Sequence, residues 1–135
     1  MSDFAELPKF VTCYAKAWCS QDPDSVAAFF AENGSLSVND GSPAVGRAAI
    51  AEVARAFMRD FPGMVVKMDK VSCEPDGTKF HWTLIGTNTG PGGTGKHVRI
   101  SGYELWKIDN DGLIGESKGH FDSAEYERQL KEGMN

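Results

Sequence analysis

The spacing of apolar residues changes from a helical to a strand period at Pro62-Gly63, and that change fixes most of what the chain can fold into. Ahead of it, Phe4, Leu7, Val11, Tyr14, Ala15 and Trp18 recur at three- and four-residue intervals, which places them on one face of a helix. Ser20-Gln21-Asp22-Pro23 breaks that helix. Asp22 suits the N-cap of a short second helix, and Pro23 its first position, where the missing N–H has no partner anyway. Val26, Phe29 and Phe30 supply its apolar stripe and Asn33-Gly34 ends it. Residues 35–38 alternate as a short strand, Asp40-Gly41-Ser42-Pro43 is turn chemistry, and Ile50, Val53, Ala54, Phe57 and Met58 mark a third helix over 47–60.

Beyond Pro62-Gly63 the apolar residues fall at every second position, the period of a pleated strand. Strands are expected over 64–73, 79–89, 97–108 and 113–121. They are separated by Pro75-Asp76-Gly77, the glycine-rich 90–95 stretch and Asp109-Asn110-Asp111-Gly112. Asp122 with Glu125 three residues on forms a capping box that opens a last helix. Helix, helix, strand, helix, four strands, helix describes an α+β fold with a mostly antiparallel sheet, expected as a single domain over 1–135.

Charge and composition narrow the partners. Fourteen basic against nineteen acidic side chains give a net charge of −5, with no Lys/Arg cluster to meet a phosphate backbone, so no nucleic-acid partner is expected. No apolar run approaches the ~20 residues of a membrane span, and the acidic Met1-Ser2-Asp3 start does not resemble a signal peptide. No membrane partner is expected. Cys13, Cys19 and Cys73 lack metal-ligand spacing and fit reduced thiols in a cytoplasmic protein.

Two motifs imitate ligand loops. Gly90 to Lys96 nearly completes a phosphate-binding loop, but His97 stands where a metal-binding Ser or Thr belongs and the next segment alternates as a strand, leaving no helix N-terminus to hold phosphate. Asp109 to Gly112 has its glycine too early and no closing glutamate for a calcium loop, so it is a hairpin turn. His81, His97 and His120 are scattered, and no metal or cofactor is called for.

The informative polar residues lie on otherwise apolar faces. In 97–108, Val98, Ile100, Gly102, Glu104 and Trp106 share one face, so Glu104 is a carboxyl aimed where ionisation is costly. Such an acid is either a functional group with a raised pKa or one half of a structural pair. In 79–89, Phe80, Trp82, Leu84, Gly86 and Asn88 share a face; Asn88 either orients a ligand or holds the following turn. Tyr14 and Trp18, one helical turn apart, present a phenol and an indole toward the sheet. Asp40 is either a base at a pocket mouth or a turn residue, and Asp122 a pocket-edge acid or a helix cap.

Trp82-Thr83-Leu84-Ile85-Gly86-Thr87-Asn88-Thr89-Gly90 resembles the W-T-x-x-G-T-H-T-G stretch of SnoaL-like proteins, within the nuclear transport factor 2-like superfamily. Thr94-Gly95-Lys96, Asp111-Gly112-Leu113-Ile114, Phe121-Asp122 and Gln129-Leu130 are similar to that family's later motifs. Phe29-Phe30-Ala31 and Gly46-Arg47 fit its N-terminal half. The resemblance implies a conical α+β barrel (cystatin-like), its pocket between a concave sheet and the helices, often a homodimer through the sheet. The superfamily holds polyketide cyclases, ketosteroid isomerase, limonene epoxide hydrolase and non-enzymatic binding members, and fold alone does not choose among them.

Asn88 stands where the family usually has His. Against ketosteroid isomerase, Tyr14 matches the oxyanion-hole tyrosine, Glu104 falls near the protonated acid beside it, and the general base falls at Val38, with Asp40 two residues on. The Arg-x-Asp pair of the epoxide hydrolases is missing around Trp82 to Gly86, and their later acid is replaced near Gly119, which disfavours that activity. The expected ligand is a small, apolar, carbonyl-bearing molecule. Glu104 or Asp40 would act as acid/base, Tyr14 would stabilise an enolate oxygen, and Trp82, Asn88, Trp18, Trp106 and His120 would surround the ligand. The alternative is a non-catalytic ligand-binding or dimerisation module of the same fold.

Overall fold

The computed structural model describes residues 7–134. Phe4, which its spacing places on the first helix face, lies outside them. Helix α1 (Leu7–Cys19) turns Val11, Tyr14, Ala15 and Trp18 inward, all of them buried. Helix α2 (Pro23–Ala27) starts as the sequence implies: Asp22 is extended, its carboxylate accepts the Asp24 N–H at 3.2 Å, and Pro23 comes first.

The chain then departs from expectation. Phe30 does not continue α2 but opens strand β1 (Phe30–Val38), and Asn33-Gly34 lies inside that strand. The reason is a close approach of backbones. A Cβ on Gly34 would sit 2.8 Å from the Ile114 carbonyl oxygen, so this glycine serves the neighbouring strand and not a helix stop. The register shifts between Phe30 and Ser35 as a bulge, and Arg47 Nε donates to the Phe30 carbonyl at 2.9 Å. The two-residue strand β2 (Ala44–Val45), invisible in the sequence, pairs with Ser35 and Leu36.

Helix α3 (Arg47–Asp60) buries Ile50, Ala51, Ala54 and Met58. Strands β3 (Val65–Glu74), β4 (Gly77–Thr87), β5 (His97–Ile108) and β6 (Ile114–Phe121) follow, then helix α4 (Ser123–Glu132). All join one six-stranded sheet in the order β2-β1-β6-β5-β4-β3, antiparallel throughout except for the parallel pair β1–β6. Asp122 accepts the Glu125 N–H at 3.0 Å, but Glu125 turns its own carboxylate to Arg128 and Gln129, so only half of the capping box forms. Those contacts hold the Glu125 carboxyl at a pKa of about 2. No helix among the described residues is long and apolar enough to cross a membrane.

Alternation sorts β5 as expected: Val98, Ile100, Glu104 and Trp106 are buried, while His97, Arg99, Ser101 and Lys107 are exposed. At one end of the interior the rings close up. Tyr14 meets Trp106 edge-on at 5.1 Å and Phe80 at 5.5 Å, and Phe80 stacks on Trp106 at 5.3 Å. Such pairs add about 0.5–1.5 kcal/mol each beyond the area they bury. Two residues along β5 from this plug, at Glu104, the packing opens into a cavity.

Candidate functional site

The cavity offers about 70 Å³ to the centres of water-sized molecules, room for several waters, and opens to solvent at its mouth. Helices α1, α3 and α4 and strands β1, β3, β4, β5 and β6 all contribute to its wall, which is mostly apolar: Phe57, Phe80, Trp82, Leu84 and Ile100 are typical. Among the described residues Glu104 is the only carboxyl on that wall.

Glu104 is 7% exposed, and its two oxygens are treated unequally. Oε1 accepts three hydrogen bonds: from Tyr14 Oη at 2.9 Å, Trp106 Nε1 at 2.9 Å and Ser117 Oγ at 2.8 Å. Oε2 has one long contact, from the same tyrosine hydroxyl at 3.3 Å. Trp106 can only donate, so Oε1 must accept that bond, while Oε2, with its single long contact, has the greater capacity left for a further partner. Burial raises the Glu104 pKa above its usual 4.5, and the hydrogen bonds from Trp106, Ser117 and Tyr14 oppose that rise without cancelling it. All three partners are neutral, so Glu104 is not half of an ion pair with them.

Tyr14 lies behind Glu104 and not on the wall; it is fully buried, and burial followed by the Glu104 charge pushes its pKa well above 10. The Trp18 N–H is directed at the Tyr14 hydroxyl and pulls the other way, though the contact falls short of a well-formed hydrogen bond. Trp18 and Trp82 line the cavity, whereas Trp106 is buried beneath Glu104.

The other sequence candidates lie elsewhere. Asp40 is exposed in the turn after β1 at φ +62, next to Asn39 at φ +49, and Asp and Asn tolerate that conformation. Asn88 takes the turn role: Nδ2 donates to the Asp60 carbonyl at 3.0 Å and Oδ1 accepts the Thr94 N–H at 2.7 Å, tying the glycine-rich loop to the end of α3. His120 is on the outer face, its ring 5.1 Å from Tyr103. A register shift between Lys107 and Ile108 sets the parity of β6, so that Ser117, Gly119 and Phe121 point inward and His120 outward.

Ser117 escaped sequence reasoning, because a serine among glycines carries no signal until that parity is known. Val38 and Gly119, where the resemblance places acids of related enzymes, do line the cavity, which leaves Glu104 without a second carboxyl. No group of three or more His, Cys, Asp or Glu among the described residues is placed to hold a metal ion.

The family model for SnoaL-like polyketide cyclases matches residues 9–130, and the chain belongs to that family. No functionally curated protein matches it. Among solved structures it is similar to TsrD from Streptomyces laurentii, at 16% identity and TM-score 0.80, covering 96% of this chain and 98% of that one. A protein with a ketosteroid isomerase-like fold from Catenulispora acidiphila, in complex with trimethylamine, is 18% identical at TM-score 0.78, covering 91% and 92%. An LEH-like epoxide hydrolase of M. tuberculosis is 19% identical at TM-score 0.73, covering 96% and 92%. At these identities the likeness establishes the fold, a mixed α+β structure with a curved sheet.

Proposed function

We propose that this protein catalyses cofactor-independent proton transfer on a small apolar carbonyl compound, as an isomerase or cyclase, with Glu104 as the acid/base. The observation that carries this is the asymmetry of Glu104: one oxygen saturated by three neutral donors, the other with capacity to spare in an apolar cavity. In its ionised form Oε2 takes a proton from the carbon beside the ligand carbonyl. The C–H pair becomes the enolate C=C, and the carbonyl pair moves onto oxygen. Return of the proton to a different carbon completes an isomerisation; attack of the enolate carbon on a second carbonyl, with protonation of the new alkoxide, completes a cyclisation. A carboxyl whose pKa burial has raised is a stronger base than an exposed one, which suits abstraction from carbon.

The second reading, a binding module, draws on Val38 and Gly119: the wall holds one carboxyl and no second acid to relay a proton. Deuterium uptake from D2O at the α-carbon of 1-tetralone separates the two. Wild type should accelerate exchange over buffer and Glu104→Gln should not. Equal rates in the two proteins would sink the assignment of Glu104.

A further inference from the structure

Among the described residues Glu104 is the only charged side chain on the cavity wall, and no Lys, Arg or His stands there to pair with it. A buried carboxylate without a counter-ion is costly to keep ionised. Six of the wall's side chains are aromatic. Trp18 meets Phe57 edge-on at 6.1 Å on the side of α1 and α3, and Trp82, Phe121 and Tyr126 run across β4, β6 and α4 with ring centres 6.0 and 5.4 Å apart. Phe80, the sixth, is the partner of Glu104 across β4 and β5, and Trp82 and Phe121 flank the next inward position along β5. The donors around the carboxyl are committed: Tyr14, Trp106 and Ser117 direct their hydrogens to Glu104, and the Trp18 N–H is directed at Tyr14. What this end of the cavity offers a ligand is therefore one acceptor, Oε2, among aromatic carbon.

We infer that the cavity also binds a compact tri- or tetra-alkylammonium ion, with Glu104 as its counter-ion and the aromatic wall around its alkyl groups. The cation supplies the countercharge that the wall lacks, and aromatic rings attract a cation that meets their faces. The degree of alkylation follows from the donor count. A primary ammonium brings three N–H groups and a tight hydration shell, which one open acceptor cannot replace. A tertiary ammonium brings one N–H to one acceptor, and a quaternary ammonium brings none. Size agrees: at about 10–15 Å³ for each water centre, 70 Å³ is room for about five to seven waters, the bulk of a trimethylammonium head group, and a longer substituent extends into the open mouth. This inference goes beyond the proton-transfer reading and does not rest on it, because Glu104 here supplies a charge and no bond is made or broken.

Calorimetric titration of the wild-type protein at neutral pH tests it with three probes of one length: choline, its neutral isostere 3,3-dimethylbutan-1-ol, and ethanolamine, the primary ammonium. Choline should bind about tenfold or more tighter than either of the others. Glu104→Gln should weaken choline about tenfold and leave the neutral alcohol within about twofold. Because the chain carries a net charge of −5, Gly119→Val, which fills the cavity, separates this site from the acidic surface, and choline binding should disappear in it. Equal affinities for choline and the alcohol overturn the inference, as do ethanolamine bound as tightly as choline, choline binding that survives in Gly119→Val, and failure of choline to bind at millimolar concentration. The outcomes separate from those of the proton-transfer test. Exchange without choline binding removes this inference alone, and choline binding without exchange removes the catalytic reading alone.

Discussion

Replacing Glu104 by glutamine should alter the pH dependence of stability more than stability in acid. Glutamine keeps the shape and an acceptor oxygen for Tyr14, Trp106 and Ser117, so the network at Oε1 survives. What it removes is the buried charge. Three hydrogen bonds to an ionised acceptor contribute about 1.5–3 kcal/mol each. They are set against a desolvation cost of several kcal/mol for the ion, and the raised pKa says that desolvation wins. Below pH 4.5 the carboxyl is protonated in both folded and unfolded chains and wild type has its full stability. Between 4.5 and the folded pKa the unfolded chain releases its proton first, so wild type loses up to about 1.4 kcal/mol per pH unit relative to the glutamine variant. Above the folded pKa the gap stays constant. Urea denaturation of both proteins from pH 4 to pH 8 measures this directly, because every other titrating group is common to the two and cancels in the difference. Parallel curves would show that the buried carboxyl carries no desolvation penalty, and the reasoning would be wrong.

Ser117→Ala removes one of the opposing hydrogen bonds, so it should raise the Glu104 pKa further and move the acid limb of any activity, where Glu104 must lose its proton, to higher pH, read from the pH–rate profile. Gly119→Val should fold and fill the cavity. The nearest atoms to a Cβ there are Ser37 O at 3.4 Å, Glu104 Cγ at 3.8 Å and Tyr103 O at 3.9 Å, all ordinary contacts, so loss of ligand binding without loss of thermal stability is the expected result. Asn88→Ala should do the reverse. It breaks two partly buried hydrogen bonds that hold the 90–95 loop, costing about 1–3 kcal/mol in denaturation, with ligand affinity unchanged.

The sequence carried the fold wherever a period was sustained between clear stops. Helix α3 and strand β5 begin and end where spacing places them, because glycines and Pro62-Gly63 bracket them. The same alternation that defines β5 put Glu104 on the buried face. It failed where a residue served a neighbour distant in sequence. Gly34 looks like a helix stop but makes room for the Ile114 carbonyl, and β2 exists only because β1 offers it an edge. The inward face of β6 depends on a register shift that two strands share and that alternation leaves open, so Ser117 carries no signal and His120, expected beside the ligand, lies on the outer face. Asn88 sits at the end of an apolar row, but its partners are Asp60 at the end of α3 and Thr94 in the glycine-rich loop, which alternation does not bring together.

The central claim is a carboxyl anchored through one oxygen and open to ligand through the other, and its own titration tests that most directly. The side-chain carboxyl carbon of Glu104 in 13C-labelled protein should titrate above pH 4.5, and 1-tetralone should shift that titration. An ordinary carboxylate pKa that ignores the ketone would contradict the account.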